Sequence, residues 1–204
     1  MPLPPSVSRD ELHLRRIEVR GYRRHDALYD IEARITDTKS HAFKIERGET
    51  LPPGEPLHDM WVRLVLDEDL TVHDAIACTD AAPFGICREA SETLAQLNGM
   101  RIGPGWTAAV KERLAGARGC THLTELLVPL GTTAFQTLSQ VRQGRPMSLT
   151  ASGRPAKIDT CYAYASNRDV VKRRWPEFYD GPEEEATAAI PSSLAAKSTQ
   201  GEAK

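Results

Sequence analysis

The chain has no apolar run approaching the ~20 residues that cross a bilayer, so no membrane-spanning helix is expected. Its opening, MPLPPSVSRDEL, lacks a basic stretch followed by an apolar one; no export signal is read there, and the cytoplasm is the expected compartment. Cysteine is scarce and dispersed. Cys78, Cys87, Cys120 and Cys161 form no CxxC, which argues for thiols or metal ligands rather than a disulfide framework. An excess of one charge is missing too: a formal net charge of -2 gives no general reason to expect nucleic acid or a membrane surface as partner. No glycine-rich nucleotide fingerprint and no haem-attachment motif occur, so no nucleotide cofactor is expected. Internal repeats are absent as well.

What remains is an ordinary globular composition, 40% hydrophobic and 26% charged over 204 residues, enough for one domain with a real core. Residues 1–12 are proline-rich and polar and read as a flexible N-terminal segment. Residues 13–180 read as a single α+β domain, and residues 181–204 carry too little apolar content to fold and read as a disordered tail. In LHLRRIEVRGYRRH, Ile17 and Val19 share one face and Arg16, Glu18, Arg20 and Tyr22 the other. In ALYDIEARITDTK, Tyr29, Ile31, Ala33 and Ile35 oppose Asp30, Glu32 and Arg34. Such period-two patterning predicts half-buried strands, joined here by a short link into a hairpin. A second pair, DMWVRLVL and LTVHDAIAC, turns at Asp67 to Asp69, while the stretch between the pairs, Ser40 to Leu57, reads mainly as loop.

After residue 80 the period lengthens. PFGICREASETLAQLNG predicts a helix from about Cys87, with Leu94 and Leu97 inward and Gly99 as its stop. A second helix starts near Trp106 and ends at Gly116. The run from Thr121 to about Arg142 is the strongest, with Leu123, Leu126, Leu127, Leu130 and Ala134 in a core-facing stripe; Pro129 is expected to kink or split it. Residues 145–180 read as a short strand and turn, then a helical turn docked by Trp175 and Phe178. The expected fold is therefore α+β: an antiparallel sheet of about four strands, wet on one face, with three or four helices packed on the other.

Chemistry concentrates where strands end and helices begin. Cys120 and His122 fall at the start of the strongest helix, whose free N–H groups and positive dipole end shift a thiol toward thiolate and favour a neutral imidazole. The plainer alternative has Thr121 capping the helix, Cys120 as a buried filler and His122 as a polar first-turn residue. His58 precedes the third strand, Asp80 follows the fourth and Cys87 begins the first helix, so the same end of the sheet can gather thiols, imidazoles and a carboxylate. Cys87, Cys120, His122 and His58 then form a candidate ligand set for zinc or iron, and His122, Cys120, His58 and Asp80 a candidate acid–base set. Arg16, Arg20 and Tyr22 share a strand face fit to hold an anionic molecule, or form a solvated face neutralised by Glu18, Asp30 and Glu32. Trp106, in IGPGW, either walls an aromatic pocket or anchors a helix in the core.

The stretches RRIEVRGYRR, YDIEARITDTKSHAF, GEPLHDMWVRLVLD, CTDAAPFGIC, IGPGW and GCTHLTELLVPLGTTAFQT are similar to a bacterial family known as domain of unknown function 2889, over about residues 10 to 180. That resemblance brings no activity of its own; its setting implies the breakdown of aromatic compounds. More remotely, the stretch from Met60 to Gly99 resembles the core of the iron–sulfur cluster scaffold (U-type) proteins. There, metal ligands lie at positions matching Cys87 or Asp80, Cys120 and His122, and His58. The resemblance departs in three places: the cysteine expected before the strand falls near Pro56, Cys87 is displaced along the chain, and the adjacent His-Cys pair becomes Cys-Thr-His. Three functions follow as expectations: a non-redox lyase or hydrolase acting on an aromatic catabolite, with a divalent metal as possible aid; a metal or iron–sulfur carrier; and a non-catalytic ligand-binding module. A small-molecule substrate is the expected partner, and a homo-oligomer is compatible with all three.

Overall fold

The computed structural model describes residues 3–45 and 48–182. The chain divides into two compact units at the Gly144–Arg145 junction, inside the span that the sequence suggests as one domain. The expected tail lies, from residue 183 on, outside the described residues.

The first unit holds the sheet. Strands β1 (His13–Arg23), β2 (Tyr29–Lys39), β5 (Pro56–Leu66) and β6 (Val72–Ala81) pair antiparallel in the order β1-β2-β5-β6. Alternation makes them strands: along β2 every second residue from Tyr29 is buried, and the intervening ones are half exposed. Between the two hairpins, β3 (Phe43–Lys44) and β4 (Thr50–Leu51) form a small two-stranded sheet within the stretch expected as loop. The β5–β6 turn is organised by Asp67, whose Oδ1 accepts from the N–H groups of Asp69 and Thr71 at 2.9 Å each.

Helices cover one face, as the patterning predicts. Residues Gly85–Leu97 form a 3₁₀ helix rather than an α-helix. Its two buried anchors, Leu94 and Leu97, stand three residues apart, the spacing that eclipses in a three-residue turn. Helix α1 (Trp106–Leu114) follows, and α2 (Thr121–Thr137) lies against β1, β2 and β5. Pro129 neither splits α2 nor ends it: Leu123, Leu126 and Leu127 before it, and Leu130 and Ala134 after it, are all buried and hold both halves on the core. Two glycines permit close approaches between elements of the core. A Cβ at Gly21 would stand 1.9 Å from Thr137 Oγ1, and one at Gly131 would stand 3.1 Å from Trp106 Nε1.

The second unit, from Arg145, is described to residue 182. It contains an isolated bridge between Leu149 and Pro155 in place of a strand, and a short helix α3 (Asp169–Arg174). Among its described residues Pro155, Ile158 and Val171 are buried, and the Trp175 ring lies 6.0 Å from that of Tyr164. No helix among the described residues is long and apolar enough to cross a membrane.

Candidate functional site

Strand register builds the site. Arg15 stands directly opposite Asp37, and Asp37 directly opposite His58, so three polar side chains form one row across β1, β2 and β5. That row continues the buried phase of β2, because Asp37 follows Tyr29, Ile31, Ala33 and Ile35 at steps of two. A carboxylate at such a position must be paired, since burying it alone costs several kcal/mol, roughly. Asp37, 1% exposed, is paired on both oxygens. Arg15 forks onto it, Nε to Oδ1 and Nη2 to Oδ2, both at 2.8 Å. His58 Nδ1 lies 3.0 Å from Oδ2, and His13 Nε2 lies 3.1 Å from Oδ1.

The first turn of α2 closes over this row. The His122 ring packs on that of His58 with centroids 3.8 Å apart and planes inclined by 31°. His122 Nε2 points back to Asp37 Oδ2 at 4.0 Å, and one turn on, Glu125 accepts from Arg15 Nη1 at 2.6 Å. Cys120, not Thr121, is the N-cap residue, and its side chain makes no capping hydrogen bond. Its sulfur lies 3.9 Å from His122 Nδ1, the ring nitrogen turned away from Asp37.

The electrostatics follow from these contacts. Burial pushes the Asp37 carboxyl up, but the Arg15 fork, with His58 and His13 beside it, holds it below the usual carboxylate range. Arg15 in turn is raised by Asp37. His58 is lowered by burial and by the neighbouring His122, against the pull of Asp37. Burial also pushes the Cys120 thiol up, yet the His122 ring and the N–H groups of Leu123 and His122 outweigh it, and the net direction is down.

Of the residues singled out from sequence, His58, His122 and Cys120 come together. The others do not join them. Asp80 is exposed, and its charge is felt by Arg34 and Cys78 on the outer face of the sheet. Cys87 lies on the 3₁₀ helix and outside the group; among the described residues, Asp37, His58 and His122 are the set that offers three convergent ligand atoms. The atoms that converge are thus those of a carboxylate and two imidazoles, whereas the mixed thiolate set expected for zinc or iron is not drawn together. Arg16, Arg20 and Tyr22 pair with Thr36, Glu32 and Asp30, the outward phase of β2, which puts them on the opposite side of the sheet from Asp37. Trp106 is in the core, its Nε1–H donating to the Leu127 carbonyl at 2.9 Å.

Two hollows flank these features. One of about 340 Å³ lies on the outer face among Trp61, Arg63, Ile76 and Cys78. Glu32 also lines it, and its carboxylate is tied to Arg63, which donates from Nε at 2.7 Å. The other, of about 490 Å³, is open and runs between Glu89 and Thr93 on the 3₁₀ helix and the turn Ala117 to Gly119, ending at the residue before Cys120.

Asp37, Arg15, His13 and Glu125 are the site residues that motif reading misses. A family profile described as "Protein of unknown function (DUF2889)" matches residues 13–136, a span that contains all of them. No curated protein and no solved structure matches the chain.

Proposed function

The chain belongs to the DUF2889 family, and on that premise we propose that it is a small-molecule enzyme of the lyase or hydrolase type, working by acid–base chemistry around Asp37. One observation carries the proposal: a carboxylate 1% exposed is ringed by a guanidinium and three imidazoles drawn from two strands and a helix. Stability does not call for such a group, because apolar side chains of similar volume often serve a core as well or better. Charged groups concentrated in this way are typical of places where protons move.

Each residue has a role in that chemistry. Arg15 keeps Asp37 ionised, and Asp37 orients the imidazoles and stabilises the one that takes a proton. His122 and His13, with side chains 23% and 36% exposed, are the rings that reach an incoming molecule. The free N–H groups at the start of α2 meet negative charge developing on the substrate. The hollow ending at Gly119, next in sequence to the start of α2, has room for one aromatic ring, in keeping with an aromatic catabolite as substrate.

The test is turnover. Purified protein is incubated with aromatic esters and with aromatic β-hydroxycarbonyl compounds, and products are followed by mass. Activity is expected to fall about a hundredfold or more in His122→Gln, and to stay unchanged in Arg20→Ala on the outer face. Absence of turnover across both compound classes, or full activity in His122→Gln, refutes the proposal.

A further inference from the structure

Asp37, His58 and His122 each offer one ligand atom, and these atoms lie within 4.8 Å of one another although they come from two strands and a helix. Around an ion with bonds of ~2.1 Å, tetrahedrally arranged ligand atoms stand ~3.4 Å apart. The observed 3.0 Å from His58 Nδ1 to Asp37 Oδ2, and 4.0 Å from His122 Nε2 to the same oxygen, bracket that spacing. Hydrogen bonding accounts for the approach of His58 but not for that of His122. Asp37 Oδ2 already accepts from Arg15 Nη2, and 4.0 Å is beyond hydrogen-bond length, so His122 Nε2 aims at the carboxylate without bonding to it.

The groups that orient metal ligands from behind are also in place. His122 Nδ1 faces Cys120 Sγ, which fixes the ring so that Nε2 points inward. Asp37 Oδ1 is held by Arg15 Nε and His13 Nε2, and Oδ2, steadied by Arg15 Nη2, is the oxygen that His58 Nδ1 and His122 Nε2 both approach.

We infer that Asp37, His58 and His122 bind one divalent cation of the zinc class, with a remaining position open to water or to a substrate oxygen. Two nitrogens and one carboxylate oxygen suit a borderline ion, and three protein ligands leave it able to act as a Lewis acid. The inference rests on the proposal that this cluster is the working centre, and it sharpens it. A bound ion takes His58 and His122 out of proton traffic and leaves His13, on the other oxygen of Asp37, as the free imidazole.

The experiment uses the full chain, stripped by chelator and dialysed, titrated with Zn²⁺ by calorimetry and loaded with Co²⁺ for its visible spectrum. One equivalent per chain is expected, with cobalt d–d bands and no thiolate charge-transfer band. Affinity is expected to fall more than about a hundredfold in His122→Ala and in His58→Ala, and about tenfold in Cys120→Ala, whose sulfur only positions His122. Cys87→Ala is expected to bind as the parent does. Near-UV circular dichroism checks folding, and the two histidine variants carry the decision because Asp37→Ala strips a buried ion partner. No zinc binding by the parent, equal binding by both histidine variants, or loss of binding in Cys87→Ala overturns the inference. Turnover by fully metal-free protein removes the ion and leaves the enzyme; zinc bound at this site without turnover of either compound class removes the enzyme and leaves the ion.

Discussion

Asp37 and Asp59 make nearly the same contact on opposite faces of one sheet. Each is forked by an arginine, Asp37 by Arg15 at 2.8 and 2.8 Å, and Asp59 by Arg34 at 2.8 and 2.6 Å. Around Asp59 the remaining company is structural, with Arg34 lying 4.8 Å over the ring of Trp61 and 41% exposed to water. Around Asp37 it is three imidazoles under a helix. A bidentate cross-strand ion pair is therefore no mark of a site by itself. What distinguishes the inner face is that its carboxylate is the more deeply buried of the two and that further titratable groups are aimed at it.

The comparison is broken most severely at its centre. Asp37→Ala removes the buried end of the Arg15 fork, leaving Arg15 only Glu125, and takes from His58 its carboxylate partner, and about 3 kcal/mol of stability is expected to be lost in urea unfolding. The two faces also differ in how tightly they are pressed. Gly21→Ala, on the inner phase of β1, drives a methyl into Thr137 and is expected to cost about 2 kcal/mol, part of it regained in the double variant with Thr137→Ala. Tyr22, its neighbour on the outer phase, is 43% exposed, and Tyr22→Ala should fall within about 0.5 kcal/mol of the parent. Asp59→Ala should cost about 1 kcal/mol, because water takes over the donors of Arg34.

A pH-dependent effect belongs to Asp67, which lies 3.0 Å from His73 Nε2, the same distance as Asp37 from His58, but in an open turn. Burial pushes its carboxyl up, while the N–H groups of Thr71 and Asp69 and the His73 ring hold it below the usual range. A carboxyl lowered by folding contributes stability above its unfolded value, about 3.9, and that contribution is lost as the pH falls through the lower folded value. Parent and Asp67→Asn should thus differ by less than about 1 kcal/mol near neutrality and converge in acid, followed by unfolding across a pH series.

Much of the fold was legible because period two and period three-to-four patterns are written in apolar residues. Both hairpins, the uncovered face and the stripe of α2 follow from them directly. The site was harder because its key residues break those patterns by charge while obeying them in phase. Extending the inward set Tyr29, Ile31, Ala33, Ile35 by one step reaches Asp37, and extending Ile17 and Val19 backwards reaches Arg15 and His13. A charged residue on the apolar phase was the signal, and a search for motifs passes over it. His58 and His122 were legible because each sits at an element's start, where chain ends meet. Cys87 lies apart from that group, within the Gly85–Leu97 segment, whose 3₁₀ winding no period in its own few residues reveals.

The bulge in β2 after Asp37 has a consequence for how this chain can change over generations. Asp37 is the last residue of that strand in unbroken register with β5, and the backbone then departs through Lys39 and returns at Pro56. Insertions or deletions in that excursion leave the row of Arg15, Asp37 and His58 where it is, whereas a single residue added between Tyr29 and Asp37 would put the inward residues on its two sides out of phase with one another. A lineage is free to remodel the excursion, and with it whatever passes nearby, without touching the carboxylate.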